Sequence, residues 1–276
     1  MHTILSNSIC YLSDVNYFYF SRIDICMKAN KFLLFLIGYQ FSLFAQEDIT
    51  ESKIRIPMIN LNVGFHLPGG DLGQRFGASS MFGLGFQMKN ENNYYWGFEG
   101  AALVGSKVKE DNIIDIITAD SLDIIDVNGN TASIRFWERG AKGQVILGKI
   151  VSLLGPNKNS GIFFQGGLGY IYHKIRIEDI GNGSPQLNAD MRKGYDRLCM
   201  GFSISQFLGY RHFSNNHKIN FFVGVEFIQA FTQDVRQYDY NAQTAYEDKR
   251  VDLLSGLKFG WTFPLYEKSD NQYYYY

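Results

Sequence analysis

The sequence predicts an all-β fold, an eight-stranded antiparallel up-and-down barrel that crosses a membrane on its strands. Three observations predict it. Eight segments alternate apolar with polar or small residues. The connections between them alternate short and long. The composition is also rich in aromatics (16%, with 23 Phe and 18 Tyr) and in Gly (28), and it holds only 5 Pro in 276 residues. The mean hydropathy of −0.15 is too low for a bundle of membrane helices. It suits a barrel, in which one face of each strand meets lipid and the other meets a packed interior.

The first segment sets Ile59, Leu61, Val63, Phe65 and Leu67 against Asn60, Asn62, Gly64 and His66, a period of two. The second sets Ser80, Phe82, Leu84, Phe86 and Met88 against Ser79, Met81, Gly83, Gly85 and Gln87. The third sets Tyr94, Trp96, Phe98, Ala102 and Val104 against Tyr95, Gly97, Glu99 and Ala101. The fourth, about 132–149, is regular only in its lower half, where Val145 and Leu147 oppose Gln144, Ile146 and Gly148. Its upper half carries Arg135, Glu138 and Arg139 and is expected to project beyond the membrane.

The fifth sets Ile162, Phe164, Leu168, Tyr170 and Tyr172 against Gln165, Gly167, Gly169 and His173. The sixth sets Leu198, Met200, Phe202, Ile204, Leu208 and Tyr210 against Gly201, Ser203, Ser205 and Gly209. The seventh sets Ile219, Phe221, Val223, Val225 and Phe227 against Asn220, Gly224 and Glu226. The eighth sets Val251, Leu253, Leu257, Phe259, Trp261 and Phe263 against Asp252, Gly256, Lys258, Gly260 and Thr262. Charges fall almost wholly on the inward parity. A Lys or Arg facing lipid at mid-depth costs about 2–4 kcal/mol, so this placement is what a membrane barrel requires.

The connections 89–93, 154–160 and 213–217 are short. Those at about 108–131, 178–195 and 234–249 are long, and 68–77 is intermediate. Such alternation puts both termini on the side of the short turns, the periplasmic side of an outer-membrane barrel. Trp96, Tyr210, Trp261, Phe263 and Tyr266 are expected in the girdle on that side, and Tyr170 and Tyr172 in the opposite one.

An export signal precedes the barrel. Met27-Lys28-Ala29-Asn30-Lys31 is a basic start, Phe32 to Phe44 an apolar run, and Leu43-Phe44-Ala45 a small-residue cleavage pattern. The run is too short to span a bilayer as a helix. The expected organisation is a non-translated or extraneous extension at 1–26, a signal peptide at 27–45 cleaved after Ala45, and a short periplasmic segment at 46–53. The barrel follows at 54–266, and a Tyr-rich tail at 267–276. Cys10 and Cys26 precede the cleavage point, so Cys199 is the lone mature cysteine and no intramolecular disulfide is expected.

With these segments in place the chain resembles the small eight-stranded Gram-negative outer-membrane barrels of the OmpA/OmpX and PorT-like type, over about residues 54–266. The final strand, Lys258-Phe259-Gly260-Trp261-Thr262-Phe263-Pro264-Leu265, resembles the C-terminal signal read by the barrel-insertion machinery. That family ends at the last aromatic, whereas here Glu267 to Tyr276 follows. The resemblance implies a cell outer-membrane location and, as partners, the lipid bilayer, lipopolysaccharide, the insertion machinery and an envelope or secretion-complex protein. It implies a non-enzymatic structural, assembly or secretion-associated role, acting through the loops or the tail.

One constellation points to catalysis. His212-Phe213-Ser214-Asn215, with Glu226 twelve residues beyond Ser214, resembles the PagL-type lipid A deacylases. Carried over, Ser214 attacks an ester, His212 is its base and Glu226 orients the base. Against this, the motif lies on the periplasmic connection, His212 shares the lipid parity of Tyr210, and Glu226 points inward. The non-enzymatic reading therefore stands first.

Glu99, Glu226, Lys258, Asp252 and Arg197 are expected to form ion pairs inside the barrel. The alternative use of those charges is a small gated pore, although eight strands leave an interior just filled by side chains.

The segment 109–127 mixes acids with Ile and Leu. It is expected to form a short helix or hairpin above the membrane that binds a partner or packs on the rim. Asp126-Val127-Asn128-Gly129-Asn130 reads as a turn rather than a calcium loop, and Pro68-Gly69-Gly70-Asp71 as a turn rather than a phosphate loop. His66, His173 and His217 show no metal-ligand spacing. No cofactor is expected, and a net charge of −1 offers no footprint for nucleic acid.

Overall fold

The computed structural model of the chain describes residues 52–110, 113–114, 124, 126–181, 183–188, 190–216, 218–236, 238, 240, 243 and 249–265. The expected export signal, the segment before it, most of the 109–127 segment, His217, Tyr266 and the tail at 267–276 lie outside the described residues.

Eight antiparallel strands close into one barrel in sequence order. They are β1 (Ile56–Gly69), β2 (Ser79–Lys89), β3 (Tyr94–Gly105), β4 (Ser133–Val151), β5 (Gly161–Ile180), β6 (Cys199–Phe213), β7 (Asn220–Asp234) and β8 (Lys249–Pro264). Closure comes from β1 pairing with β8, in a register that sets Ile59 opposite Phe263 and Leu67 opposite Ser255. The expected parity holds on every strand. On β3, for example, Tyr94, Trp96 and Phe98 are exposed, while Tyr95, Gly97 and Glu99 are buried.

The short connections all lie at one end, the turn end. There Asn93 takes a positive φ of 62° and the Asn90 side chain accepts the N–H groups of Asn92 and Tyr94, at 3.0 and 2.9 Å. Asn side chains accept such local bonds readily, which favours a tight hairpin turn. The segment before β1 is tied across the same end. The Ile54 N–H donates to Asn159 Oδ1 at 3.2 Å, and Asn159 Nδ2 donates to the Ser52 carbonyl at 2.8 Å. Both the entry to β1 and the exit from β8 therefore sit with the short turns.

The opposite end, the loop end, carries α1 (Gly70–Arg75) and two short 3₁₀ turns, Pro185–Leu187 and Met191–Gly194. The turn expected at 68–71 is instead the end of β1 running into this helix. Gly70 makes the corner at φ +58°, where a Cβ would meet the Val251 carbonyl oxygen at 2.3 Å, so glycine is required. The Asp71 carboxylate then accepts the Val251 N–H at 2.8 Å and pins the helix to β8.

Strands β4 and β5 are the longest, at 19 and 20 residues. Pairing with β3 stops at Glu138 and pairing with β6 stops at His173. Beyond those points the strand pairing of β4 and β5 is with each other, out to Ser133 and Ile180, and the Ile175 N–H also donates to the Asp196 carbonyl at 2.8 Å. This two-stranded ribbon extends roughly 17–23 Å past its neighbours at 3.3 Å per residue. Arg135 projects on this ribbon as expected, whereas Arg139 and Glu138 still pair with Val104 and Gly105 of β3, and Glu138 is buried, where its carboxylate accepts the Ser79 hydroxyl.

Candidate functional site

The barrel interior has three layers, built from the inward residues of the strands and, at the loop end, from residues of the helix and connections as well. At the turn end Ile56, Met58, Tyr95, Phe163, Phe207, Phe213 and Phe222 form an apolar cluster. At the loop end a second cluster gathers Leu72 and Phe76 with Leu103, Ile171, Ile175, Ile228 and Leu254. Ile113 and Ile124 of the long third connection are buried in it, so the described part of that connection packs on the barrel.

Between the two lies a polar layer. Lys258 Nζ lies 2.6 Å from Glu99 Oε1 and 3.1 Å from Glu226 Oε1. Lys142 Nζ reaches the same Glu226 oxygen at 3.1 Å, and His66 Nε2 lies 3.1 Å from Glu226 Oε2. Gln144 donates to Glu99 at 3.2 Å and accepts from Ser205 at 2.7 Å. Two lysines against two carboxylates balance the formal charge. Buried charges persist only when paired and hydrogen-bonded in this way. Side chains of β1, β3, β4, β6, β7 and β8 all contribute, so the layer fixes barrel register as well as charge.

Smaller polar groups flank it. His173 Nε2 lies 2.8 Å from Asp252 Oδ2, the oxygen that also accepts the Thr232 hydroxyl. On the turn-end side the Arg211 guanidinium is fully buried, between the rings of Phe163, Phe222 and Tyr95 at 4.5, 5.0 and 5.3 Å. It donates to Gln87 at 2.7 Å and touches Met58 Sδ at 3.1 Å.

Of the charges expected inside, Glu99, Glu226, Lys258 and Asp252 are there. Arg197 is the exception. It precedes β6 at a positive φ of 45° and pairs with Glu110 at the loop end, because the chain has left the strand by that point. Cys199 is buried at the same end, 3.2 Å from Arg75 Nη1. Lys142 and Arg211 were not singled out from the sequence, nor was the pairing role of His66 or of Gln144, which was expected only to face inward. Lys142 shares the parity of Gln144, and Arg211 follows outward Tyr210, so parity alone was enough to place both inside.

The catalytic alternative is not assembled. His212 lies on the outer face, its ring stacked on Phe221 at 5.2 Å. Ser214 is in the β6–β7 turn, where its hydroxyl donates to Asn216. Glu226 is buried in the central layer and is bonded there to His66, Lys142 and Lys258. Among the described residues no group of three or more His, Cys, Asp and Glu side chains is placed to hold a metal ion.

At the loop end Asp126 accepts the N–H groups of Asn128 and Asn130, each at 2.8 Å, and the Asn130 bond leads in holding its carboxyl below the usual range. Arg236 donates to both Asp196 oxygens, at 2.8 and 2.6 Å, which raises it above its ordinary value.

These features define the class, a closed eight-stranded antiparallel barrel with a filled, ion-paired interior. No protein-family model matches the sequence, and no curated protein matches it. Solved structures do. The attachment invasion locus protein Ail of Yersinia pestis, in complex with the heparin analogue sucrose octasulfate, is matched over 78% of this chain and 100% of its own, at 12% identity and a TM-score of 0.39. The outer membrane protein OprG of Pseudomonas aeruginosa is matched over 79% and 99%, at 12% identity and a TM-score of 0.33. Neisserial surface protein A is matched over 74% and 95%, at 10% identity and a TM-score of 0.31. These are eight-stranded outer-membrane β-barrels. The fold assigned here rests on this chain's own strand pairing.

Proposed function

We propose that the chain is an outer-membrane barrel that works as a sealed, non-enzymatic scaffold for its loop end. The observation that carries this is the contrast between its two faces. Outside, Leu61, Phe65, Phe82, Leu84, Phe98, Leu168, Leu257 and Phe259 are exposed to a degree that no soluble surface tolerates in one continuous belt. On β8 the belt runs from Val251 to Phe263, which at a strand tilt of about 40° covers roughly 30 Å of height, close to a hydrocarbon core. Tyr94, Trp96, Trp261 and Phe263 ring its turn-end margin, and Tyr170 and Tyr172 stand toward the other.

Inside, the paired charges and the two apolar clusters occupy the lumen, so they serve as a core rather than as the lining of a conduit. What remains available for interaction is the loop end, built by α1, the β4–β5 ribbon and the long connections. In this reading the turn end faces the periplasm, and partners in the envelope meet the loops or the tail.

The test is reconstitution of the full chain. Folding into phosphatidylcholine vesicles with heat-dependent gel mobility, together with planar-bilayer conductance at background, is the expected result. A chain that stays soluble and monomeric without lipid, or one that conducts steadily, overturns it.

A further inference from the structure

Where β4 and β5 rise into the ribbon their outer face is charged, whereas the aliphatic and aromatic belt below it is apolar. Cross-strand register places Arg135 opposite Glu178, Trp137 opposite Arg176, and Arg139 opposite Lys174, all on the outward parity. Four cations therefore share this face with one carboxylate. Glu178 is already engaged by the Trp137 ring N–H at 2.9 Å and by Arg176 at 3.6 Å. Among the described residues Lys174 meets one carboxylate, Asp196, in a long contact of 3.4 Å, and Asp196 is held more tightly by Arg236. The Arg139 guanidinium lies over the Trp137 ring at 5.4 Å and spends one N–H on the Glu138 carbonyl. Its remaining donors have no protein acceptor among the described residues.

The ladder continues toward the turn end as Ala141 opposite Tyr172 and Gly143 opposite Tyr170. Gly143 also pairs with Gly100 of β3, and Ala141 with Ala102. Gly143 and Gly100 sit on the outer face and line a trough of about 540 Å³, walled by Leu84, Phe86, Phe98, Val145 and Leu168. A Cβ placed on Gly100 or Gly143 meets nothing within 4 Å, so the trough is open to an external occupant.

We propose that this face holds one phosphorylated acyl lipid of the outer leaflet, its phosphate on Arg139, Lys174 and Arg176 and an acyl chain in the trough over Gly143. The proposal rests on the membrane reading above. Arg forks match phosphate oxygens, and the stacked, anchored Arg139 is ordered before the ligand arrives. Cations directly above an apolar trough, with Tyr170 and Tyr172 between, match an amphiphile with an anionic head and apolar tail.

The test uses the full chain folded in phosphatidylcholine vesicles doped with diphosphorylated lipid A, with dephosphorylated lipid A, or bathed in inorganic phosphate. The expected result is a rise of several degrees in unfolding temperature with the diphosphorylated lipid alone, as binding to the folded state requires. The double variant Arg139→Gln/Arg176→Gln is expected to fold equally well in phosphatidylcholine and to lose the rise. Gly143→Phe, which fills the trough from outside, is expected to do the same.

An equal rise with dephosphorylated lipid A, a rise reproduced by inorganic phosphate, or an undiminished rise in either variant overturns the proposal. A parent chain that inserts normally but shows no rise overturns this proposal alone. A parent chain that does not insert overturns the membrane reading and this proposal together.

Discussion

His66 Nε2 lies 3.1 Å from Glu226 Oε2, joining β1 to β7 across 160 residues of sequence at the centre of the barrel. The other Glu226 oxygen faces Lys142 and Lys258, each at 3.1 Å. One carboxylate thus ties four strands together. Removing it strands two buried ammonium groups with only Glu99 between them. Breaking a buried pair by deleting one partner costs about 3–5 kcal/mol, because the survivor stays desolvated. Glu226→Ala is expected to lower the unfolding free energy in vesicles by that amount, measured by urea titration. Glu226→Gln, which keeps hydrogen bonds without the charge, is expected to fall between it and the parent. Equal stability of all three removes the layer as a stabilising element.

Why this layer was only half legible follows from what alternation encodes. Parity tells which face a residue takes once a strand is found, so Glu99, Glu226 and Lys258 were placed inside from sequence. Parity does not tell which inward groups meet. That depends on shear between strands far apart in the chain, and His66 with Glu226 is such a case. Strand ends were also hidden. Phe163 and Phe222 are inward, yet they lie within the apolar runs Ile162-Phe163-Phe164 and Phe221-Phe222-Val223, where no polar residue marks the alternation. Along upper β4 Arg135, Trp137 and Arg139 carry the outward parity in place of aliphatics, so hydrophobic alternation does not mark which face they take, although the segment itself was expected from about 132. Arg197 shows the opposite error, a charge placed inside because the strand was extended two residues too far.

Arg211 sits among aromatic rings, and two of its guanidinium nitrogens have no hydrogen-bond partner among the described residues. A buried cation without a carboxylate contributes less than an apolar side chain of its size. Arg211→Met is therefore expected to leave stability within about 1 kcal/mol of the parent or to raise it, whereas Arg211→Ala, which opens a cavity, is expected to cost roughly 2–5 kcal/mol. Urea titration in vesicles separates the two. A Met variant as unstable as the Ala variant shows that the cation–ring contacts are essential.

Gly256 and Gly100 separate inner from outer space on the same barrel. A Cβ on Gly256 meets the Phe65 carbonyl oxygen at 2.0 Å and His66 Cα at 2.7 Å, both backbone and unable to yield. Gly256→Val is expected to cost at least about 1–3 kcal/mol through overpacking. Gly100→Val points into open space and is expected to leave the unfolding midpoint unchanged. The pair is compared by thermal unfolding in identical vesicles, and a reversed order contradicts the inward assignment of Gly256.

Asp126 gives the loop end a pH dependence. Its carboxylate holds the 126–130 turn by accepting two backbone N–H groups, and its folded pKa is depressed. The stabilisation is therefore present above the ordinary carboxylate value and is lost as pH falls through the lower folded value. Hydrogen exchange of the Asn128 and Asn130 amides is expected to show protection at neutral pH that fades in acid. Asp126→Ala is expected to lack that protection at every pH. Protection in the parent that does not change with acid removes the carboxylate as its cause.

Ser214 and His212 supply the sharpest test of catalysis. Their side chains diverge: the His212 ring stacks on Phe221 outside the barrel, and the Ser214 hydroxyl is spent on Asn216 in an exposed turn. Glu226, which would have to orient the base, is committed inside the wall to three other groups. A triad needs nucleophile, base and orienter linked in series by hydrogen bonds, and here neither link exists. Overexpression of the parent chain is expected to leave the acyl pattern of lipid A unchanged by mass spectrometry, and Ser214→Ala is expected to match it. Loss of one acyl chain with the parent, abolished in Ser214→Ala, would mean that the β6–β7 turn refolds to bring His212 inward during turnover, and the scaffold reading would then give way to an esterase.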